Sequence, residues 1–136
     1  MKLKLCFVTL TLMSHLAIAD IAVIVHPSNA NAMDASAISR LFLGKSKKFP
    51  DGTVAIPLNQ AEASSATGLF NSKALKKSSS QLKAYWSKLV FTGKGTPPRS
   101  VESDIDVLDL VASNPNIIGY IDSAALTDKV KVLTTF

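Results

Sequence analysis

Hydrophobic and polar residues alternate along the chain in blocks that predict an α/β protein. The run Ile21–Val25 is continuously apolar and largely β-branched, which predicts a strand buried on both faces. Asp34 can cap a following helix, and Gly44 supplies a left-handed stop for it. A second strand is predicted over residues 53–58. Because one helix separates the two strands, we expect them to pair in parallel.

The second half of the chain predicts three helices and then two strands. A short helix begins near Ser64, and a third begins after Ser103. Strands are expected over residues 117–121 and 130–133. The helix that lies between these two helices carries an i, i+3, i+4, i+7, i+8 apolar stripe, and the serines at 78–80 can cap it. This stripe consists of Leu82, Tyr85, Trp86, Leu89 and Val90. We expect its tryptophan to be largely buried.

The N-terminus has the three parts of a secretory signal. Two lysines precede an apolar run over residues 5–13, and small residues lead up to Ala19. The run is shorter than the ~20 residues that span a bilayer. We therefore expect residues 1–19 to be a signal peptide cleaved after Ala19, and the mature protein to be periplasmic. Cys6, the sole cysteine, should leave with the signal.

The remaining 117 residues, 20–136, suit one domain with its own core. Without the two signal lysines, Lys+Arg falls from 15 to 13 against 10 acidic residues, so the net charge falls from +5 to about +3. This weak charge does not indicate nucleic-acid binding. Lysines cluster over residues 45–48 and 73–88, where they would attract anions or form an ordinary solvated surface.

Few residues in the mature chain are suited to catalysis. His26 is its one histidine and no cysteine remains, so neither a metal site nor a cofactor is expected. A Ser-His-Asp triad would have to use His26. A histidine before a proline at a strand end is more often a loop residue, so we expect no enzymatic activity and keep a small hydrolase only as a hypothesis to test. The glycine-lysine-glycine sequence at 93–95 lacks phosphate-loop spacing, and we expect a surface loop there.

The most informative stretch is the polar turn that leads from the second strand into the helix near Ser64. Backbone N–H groups at the helix start, with the hydroxyls of Ser64, Ser65 and Thr67, can surround an oxyanion. The alternative is that the serines only cap the helix, and composition alone favours that alternative. Glu62 would repel a bound anion unless it points away.

Several segments resemble the second lobe of the periplasmic phosphate-binding proteins of ABC uptake systems. These are the strand and turn at 21–29, the helix end at 41–45 and the segment 114–121. Residues 85–95 further resemble a short, single-lobe subgroup of these proteins. The resemblance implies an α/β fold: a single lobe of a type-II periplasmic-binding-protein-like fold, with a mixed sheet flanked by helices, over residues 20–136.

The resemblance also implies that ligand binds at the strand-to-helix turn. Larger members of the family carry an arginine there, then three residues, then serine-glycine-threonine. In this sequence Gln60 takes the arginine position, Ser64 keeps the serine, and Ser65 and Ala66 replace the glycine and threonine. The bidentate charged partner of phosphate is therefore missing. The implied ligand-binding residues are Asn59, Gln60, Ser64, Ser65 and Thr67.

Two functions remain open at this point. The first is non-covalent recognition of phosphate or a similar oxyanion in ABC-type transport or sensing, with an inner-membrane transporter as a candidate partner. The second is an interaction module that kept the lobe fold, lost the ligand and docks onto an envelope protein complex. The hydroxyl-rich turn favours the first, and the missing arginine favours the second.

Overall fold

The computed structural model describes residues 20–136. The predicted signal peptide, its cleavage after Ala19 and Cys6 lie outside the described residues. The described part contains β1 (Ile21–Val25), α1 (Ala35–Phe42), β2 (Ile56–Gln60), α2 (Ser65–Phe70), α3 (Ser79–Phe91), β3 (Arg99–Val101), α4 (Asp104–Ser113), β4 (Ile117–Asp122) and β5 (Lys131–Thr135). A π-helical turn follows α2 and a 3₁₀ turn follows β4. Within this part, no helix combines the length and the apolar character needed to cross a membrane.

The five strands form one mixed sheet in the order β3-β2-β4-β1-β5. β2 pairs in parallel with β3 and β4, whereas β1 pairs antiparallel with β4 and β5. The mixed sheet is confirmed. The predicted parallel pairing of the first two strands is wrong, because β4 lies between them and runs antiparallel to one and parallel to the other.

The central strand β1 separates two apolar cores. Because successive side chains of a strand point to opposite faces, Ile21, Val23 and Val25 pack toward α1 and α2. Ala22 and Ile24 pack toward α4 on the other face. All five residues are fully buried, as the continuous apolar run predicts. The helices therefore cover both faces of the sheet, which confirms the α/β architecture.

Three of the predicted helix starts are confirmed by their capping contacts. Asp34 Oδ1 accepts the N–H of Ala37 at 2.8 Å, and Ser103 caps α4. Ser78 forms a reciprocal capping box with Gln81 at the start of α3. Gly44 has the expected positive φ, +70°, just beyond α1. The sequence at these positions is thus sufficient to place the helix ends.

The burial predicted for the apolar stripe of α3 is wrong in part. No residue of α3 is fully buried, and Trp86 is only partly buried, against Gly44 and Gly95. Tyr85 anchors the helix, because its hydroxyl donates to the carbonyl of Leu43 at 2.7 Å. At the end of the helix, the side chains of Val90 and Phe91 remain 52% and 92% exposed. The helix therefore leaves an apolar edge in solvent.

Three strands also differ from the prediction, and one of them is β5, which covers Lys131–Thr135 where 130–133 was expected. β2 begins at Ile56 and continues to Gln60, later than the expected 53–58. β3, at Arg99–Val101, was not predicted, because the prolines before it favour a loop. It exists through its parallel pairing with β2. This pairing extends the sheet beside the polar turn after β2.

Candidate functional site

Gln60 ends β2 and is 2% exposed. Its Nε2 donates to Asp104 Oδ1 at 2.7 Å and to the carbonyl oxygen of Tyr120 at 2.9 Å. Its Oε1 accepts a hydrogen bond from the hydroxyl of Ser64 at 2.8 Å. All the hydrogen-bonding groups of this amide are therefore engaged within the protein, where they tie β2 to β4 and to the first turn of α4. Gln60, which takes the position of the family's arginine, is therefore a structural crosslink.

Ser64 occupies the N-cap position of α2, yet its side chain makes no capping hydrogen bond. Its backbone is extended (φ −67°, ψ 133°), and its hydroxyl proton is directed to Gln60. The alternative in which this serine merely caps the helix is therefore wrong. The same contact removes the Ser64 hydroxyl from the donors that could face an oxyanion, because a hydroxyl has a single proton to donate.

Thr67 is also directed inward. It is 8% exposed, and its hydroxyl donates to the carbonyl of Ala61 at 2.8 Å. This contact holds the turn Ala61–Ser64 closed against the first turn of α2. Within residues 20–136, every buried side-chain nitrogen and oxygen has a hydrogen-bond partner. The turn is a satisfied polar network, and the network leaves few donors for a ligand.

Tyr120 is the centre of this network, although its position in the sequence gives no sign of it. Its hydroxyl accepts the backbone N–H of Gln60 at 3.1 Å and lies 3.3 Å from Thr67 Oγ1 and 3.4 Å from Asn59 Oδ1. Its ring stacks on Phe70 with centroids 4.0 Å apart. Burial raises the pKa of Tyr120, and its hydrogen bonds with the backbone of Gln60 and the side chain of Thr67 oppose part of that rise.

Two predicted residues still present groups to solvent. Ser65 is exposed and is the first residue of α2, so its backbone N–H has no acceptor within the helix. Asn59 is partly exposed near the end of β2. The N–H and hydroxyl of Ser65 and the side-chain amide of Asn59 are therefore among the donors available at the turn.

The charges around the turn do not favour strong anion binding. Glu62 and Lys83 form an exposed ion pair with Oε1 and Nζ 2.9 Å apart, so the lysine is partly neutralised. The carboxylate of Asp104 lies directly behind Gln60. Glu62 is thus paired with a residue of α3, and Lys83, the cation that lines the groove beside the turn, is already engaged by this carboxylate.

A groove of about 820 Å³ runs between the turn and α3. Asn59, Gln60 and Thr67 line its polar side, whereas Ser64 and Ser65 do not line it. The predicted site residues are therefore divided between the groove and the helix start. The facing wall is largely apolar and comprises Leu82, Trp86, Val90, Phe91 and Pro97. No motif in the sequence points to this groove, because its walls come from segments that only the fold brings together.

The other candidate residues have local roles. His26 Nδ1 lies 2.7 Å from the hydroxyl of Ser28 and accepts the N–H of the same serine at 3.1 Å. These contacts form a turn after β1, without a carboxylate to orient the ring. In residues 20–136, no three His, Cys, Asp or Glu side chains are grouped so that they could hold a metal ion. The sequence 93–95 forms the expected loop after α3.

No family model matches this chain. No curated protein matches it either. Solved structures with a similar fold include a protein assigned to phosphate ABC transport from Clostridium perfringens, solved with bound phosphate (TM-score 0.68, 17% identity, 85% of this chain and 44% of that chain). An ABC-type phosphate transport receptor from Vibrio cholerae (0.67, 14%, 85% and 46%) and PstS from Borrelia burgdorferi (0.64, 12%, 85% and 47%) are also similar.

These similarities confirm the fold that the family resemblance implies. Because the identities are 12–17%, they extend to the fold alone. The chain spans less than half of the length of each of the three solved chains. The residues at the β2–α2 turn, and not the similarity, therefore have to carry any argument about ligand.

Proposed function

We propose that residues 20–136 form a periplasmic solute-binding-protein-like lobe that binds phosphate or a similar oxyanion and serves ABC-type transport or sensing. The observation that carries this proposal is the exposed start of α2, where the backbone N–H of Ser65 has no acceptor within the helix, in a fold that is similar over 85% of the chain to a protein solved with bound phosphate. The proposed role is non-covalent recognition without a cofactor. The proposed ligand site is the β2–α2 turn.

The available donors set the strength of this site. The N–H and hydroxyl of Ser65 and the amide of Asn59 can each hydrogen-bond to an oxyanion. A hydrogen bond to a charged group contributes about 1.5–3 kcal/mol, and no guanidinium adds a bidentate pair. After the cost of immobilising the anion, we expect a net binding free energy of about 4 kcal/mol, which corresponds to a Kd of about 1 mM.

The backbone N–H of Ser65 can be removed without breaking the helix. Ser65 is the first residue of α2, where proline is favoured, and the extended backbone of Ser64 is compatible with a following proline. Ser65→Pro removes the N–H and the hydroxyl, whereas Ser65→Ala removes the hydroxyl alone. We expect phosphate at 10–20 times Kd (about 10–20 mM) to raise the Tm of the wild type, Ser65→Ala to reduce this rise and Ser65→Pro to abolish it.

Ala35→Pro is the matched control, because Ala35 is the first residue of α1, also follows an extended N-cap residue and does not line the groove. It should keep the phosphate-dependent rise in Tm. Sodium chloride at matched ionic strength corrects for general screening of the lysine clusters. Equal shifts in chloride and phosphate, or a full phosphate shift in Ser65→Pro, would contradict oxyanion binding at this turn.

A second candidate function is supported by a different observation. The side chain of Phe91 is 92% exposed at the apolar edge of the 820 Å³ groove, while Gln60 and Ser64 are engaged internally. Such an edge suits a module that docks onto an envelope protein complex. A photo-crosslinking residue at position 91 in cells should then give a discrete adduct that the same residue at exposed position 129 does not give. Absence of an adduct at 91 would contradict docking through this edge.

A further inference from the structure

A second concavity, of about 380 Å³, lies between α1 and the loop that follows it. It shares no lining residue with the groove beside α3. Two cationic side chains line it, those of Arg40 and Lys48. We propose that this cavity binds a phosphate ester, with Arg40 and Lys48 holding the phosphate group. This site is separate from the β2–α2 turn and does not depend on the function proposed for that turn.

Backbone hydrogen bonds fix the segments that carry Arg40 and Lys48. Arg40 lies in the last turn of α1, and its carbonyl accepts the N–H groups of Lys45 at 2.9 Å and Ser46 at 3.1 Å. Lys48 forms an antiparallel bridge with Val54. Next to it, Phe49 is 3% exposed, so its side chain anchors the loop in the core. The loop therefore holds Lys48 at a defined position relative to Arg40.

Neither cation has an anionic partner in residues 20–136, where the ion pair of Lys83 with Glu62 is the salt bridge observed. The acidic residues closest in sequence are Asp34 and Asp51, and neither lines the cavity. Asp34 accepts the N–H of Ala37, and Asp51 accepts both the N–H and the hydroxyl of Thr53, at 2.9 and 2.6 Å. Their carboxylates are thus directed to local donors, and the positive charge of the cavity stays unpaired.

The lining favours an ester over inorganic phosphate. A guanidinium can bind two phosphate oxygens at once, and an ammonium adds a point charge. The other walls include the apolar side chains of Met33, Phe49 and Pro50, which offer contact to an organic substituent. A volume of about 380 Å³ is large enough for a small molecule of this kind. The charge selects the phosphate, and the apolar wall selects its substituent.

Titration with phenyl phosphate and with inorganic phosphate, followed by NMR, tests this site. We expect phenyl phosphate to bind about tenfold more tightly, and to shift the amide signals of Ser46 and Gly52, which line the cavity. Arg40→Gln and Lys48→Gln should each weaken binding about tenfold or more, as for a lost hydrogen bond to a charged group. Arg40 and Lys48 are both exposed, so we expect the variants to fold, and thermal melts check this.

Lys45→Gln and Lys47→Gln are the matched controls, because they remove the same charge from the same loop without lining the cavity. They should change binding less than twofold. Vesicles of phosphatidylglycerol in phosphatidylcholine distinguish a lipid headgroup from a soluble ester. Binding to vesicles alone, dependent on Arg40 and Lys48, assigns the site to lipid phosphate. Equal losses in the control variants, or binding to neither probe, would overturn the proposal.

Ser65→Pro separates this site from the β2–α2 turn. It should leave phenyl phosphate binding at the cavity unchanged, because Ser65 does not line it. Conversely, Arg40→Gln should leave the phosphate-dependent shift at the β2–α2 turn unchanged. If Ser65→Pro abolishes the signal changes at Ser46 and Gly52, the phosphate ester does not bind at the cavity and the proposal is wrong.

Discussion

Substitution of Gln60 by glutamate tests the network beneath the β2–α2 turn. The side chain is 2% exposed, and its Nε2 donates to Asp104 Oδ1 at 2.7 Å and to the carbonyl of Tyr120 at 2.9 Å. Gln60→Glu keeps the size and shape of the side chain but replaces this double donor by an acceptor. The introduced carboxylate then faces a second carboxylate and a carbonyl oxygen.

The magnitude follows from these contacts. The lost hydrogen bond to the Asp104 carboxylate is worth about 1.5–3 kcal/mol, and the one to the carbonyl about 1 kcal/mol. Two like charges about 4 Å apart add up to ~4 kcal/mol of repulsion near a protein surface, part of which is relieved by uptake of a proton or by rotation of a side chain. We expect Gln60→Glu to lower the free energy of unfolding by about 3–5 kcal/mol at pH 7.

The pH dependence has a defined sign. Repulsion and burial raise the pKa of the introduced carboxyl group above its unfolded value of about 4.3. The folded variant then binds more protons than the unfolded chain, so its stability falls as pH rises through the raised pKa. Urea unfolding at pH 4.5, 5.5, 6.5 and 7.5 should therefore show the deficit shrinking toward low pH, because the protonated carboxyl can donate to Asp104 again.

Gln81→Glu is the matched control. Gln81 is exposed, and its Oε1 accepts the N–H of Ser78 in the capping box of α3, a role that glutamate fills equally well. It should change stability by less than about 0.5 kcal/mol at all four pH values. If Gln60→Glu behaves like Gln81→Glu, then Gln60 is not a buried crosslink and the reasoning about the arginine position fails.

Two further substitutions probe the packing and hydrogen bonding of β4. Gly119→Ala would place a Cβ atom 2.5 Å from Val107 Cγ1 of α4, so thermal melts should show that the free energy of unfolding falls by about 1–3 kcal/mol. Adding Val107→Ala should relieve part of this repulsion. Tyr120→Phe leaves the buried N–H of Gln60 without its acceptor and should cost about 1–3 kcal/mol. Because burial raises the pKa of Tyr120, wild-type stability should fall as pH rises above 10.0, and this alkaline loss should be smaller in Tyr120→Phe.

The elements that could be predicted from the sequence are those with local causes. The apolar run at Ile21–Val25 and the caps at Asp34, Ser78 and Ser103 are encoded within a few residues, and all lie where predicted. Strand pairing is not local. β4 lies between β1 and β2 in the sheet, although it follows β2 by about sixty residues in the chain. The pairing of the first two strands could therefore not be inferred from the helix between them.

The candidate site shows the same difference between features with local causes and features that depend on distant residues. The sequence identifies the turn after β2 and the start of α2, and the structure places both there. The roles of the individual side chains depend on partners distant in sequence. Gln60 is 44 residues from Asp104 and 60 from Tyr120, and nothing in the sequence around either partner indicates that it contacts Gln60. Whether a side chain at this turn faces solvent or the interior could therefore not be predicted.

The antiparallel pairing of β1 has a consequence for the order of folding. Ile21 pairs with Asp122 and Ala22 pairs with Thr135. The first described strand therefore cannot pair until strands roughly one hundred residues later in the chain are present. Closing so long a loop has to precede the burial of β1, which makes these contacts late and slow to form. A nascent chain that ends at residue 116 lacks both strands that flank β1. If residues 1–19 act as the predicted secretory signal, this delay would favour translocation of an unfolded polypeptide, with β1 paired only after β4 and β5 have crossed.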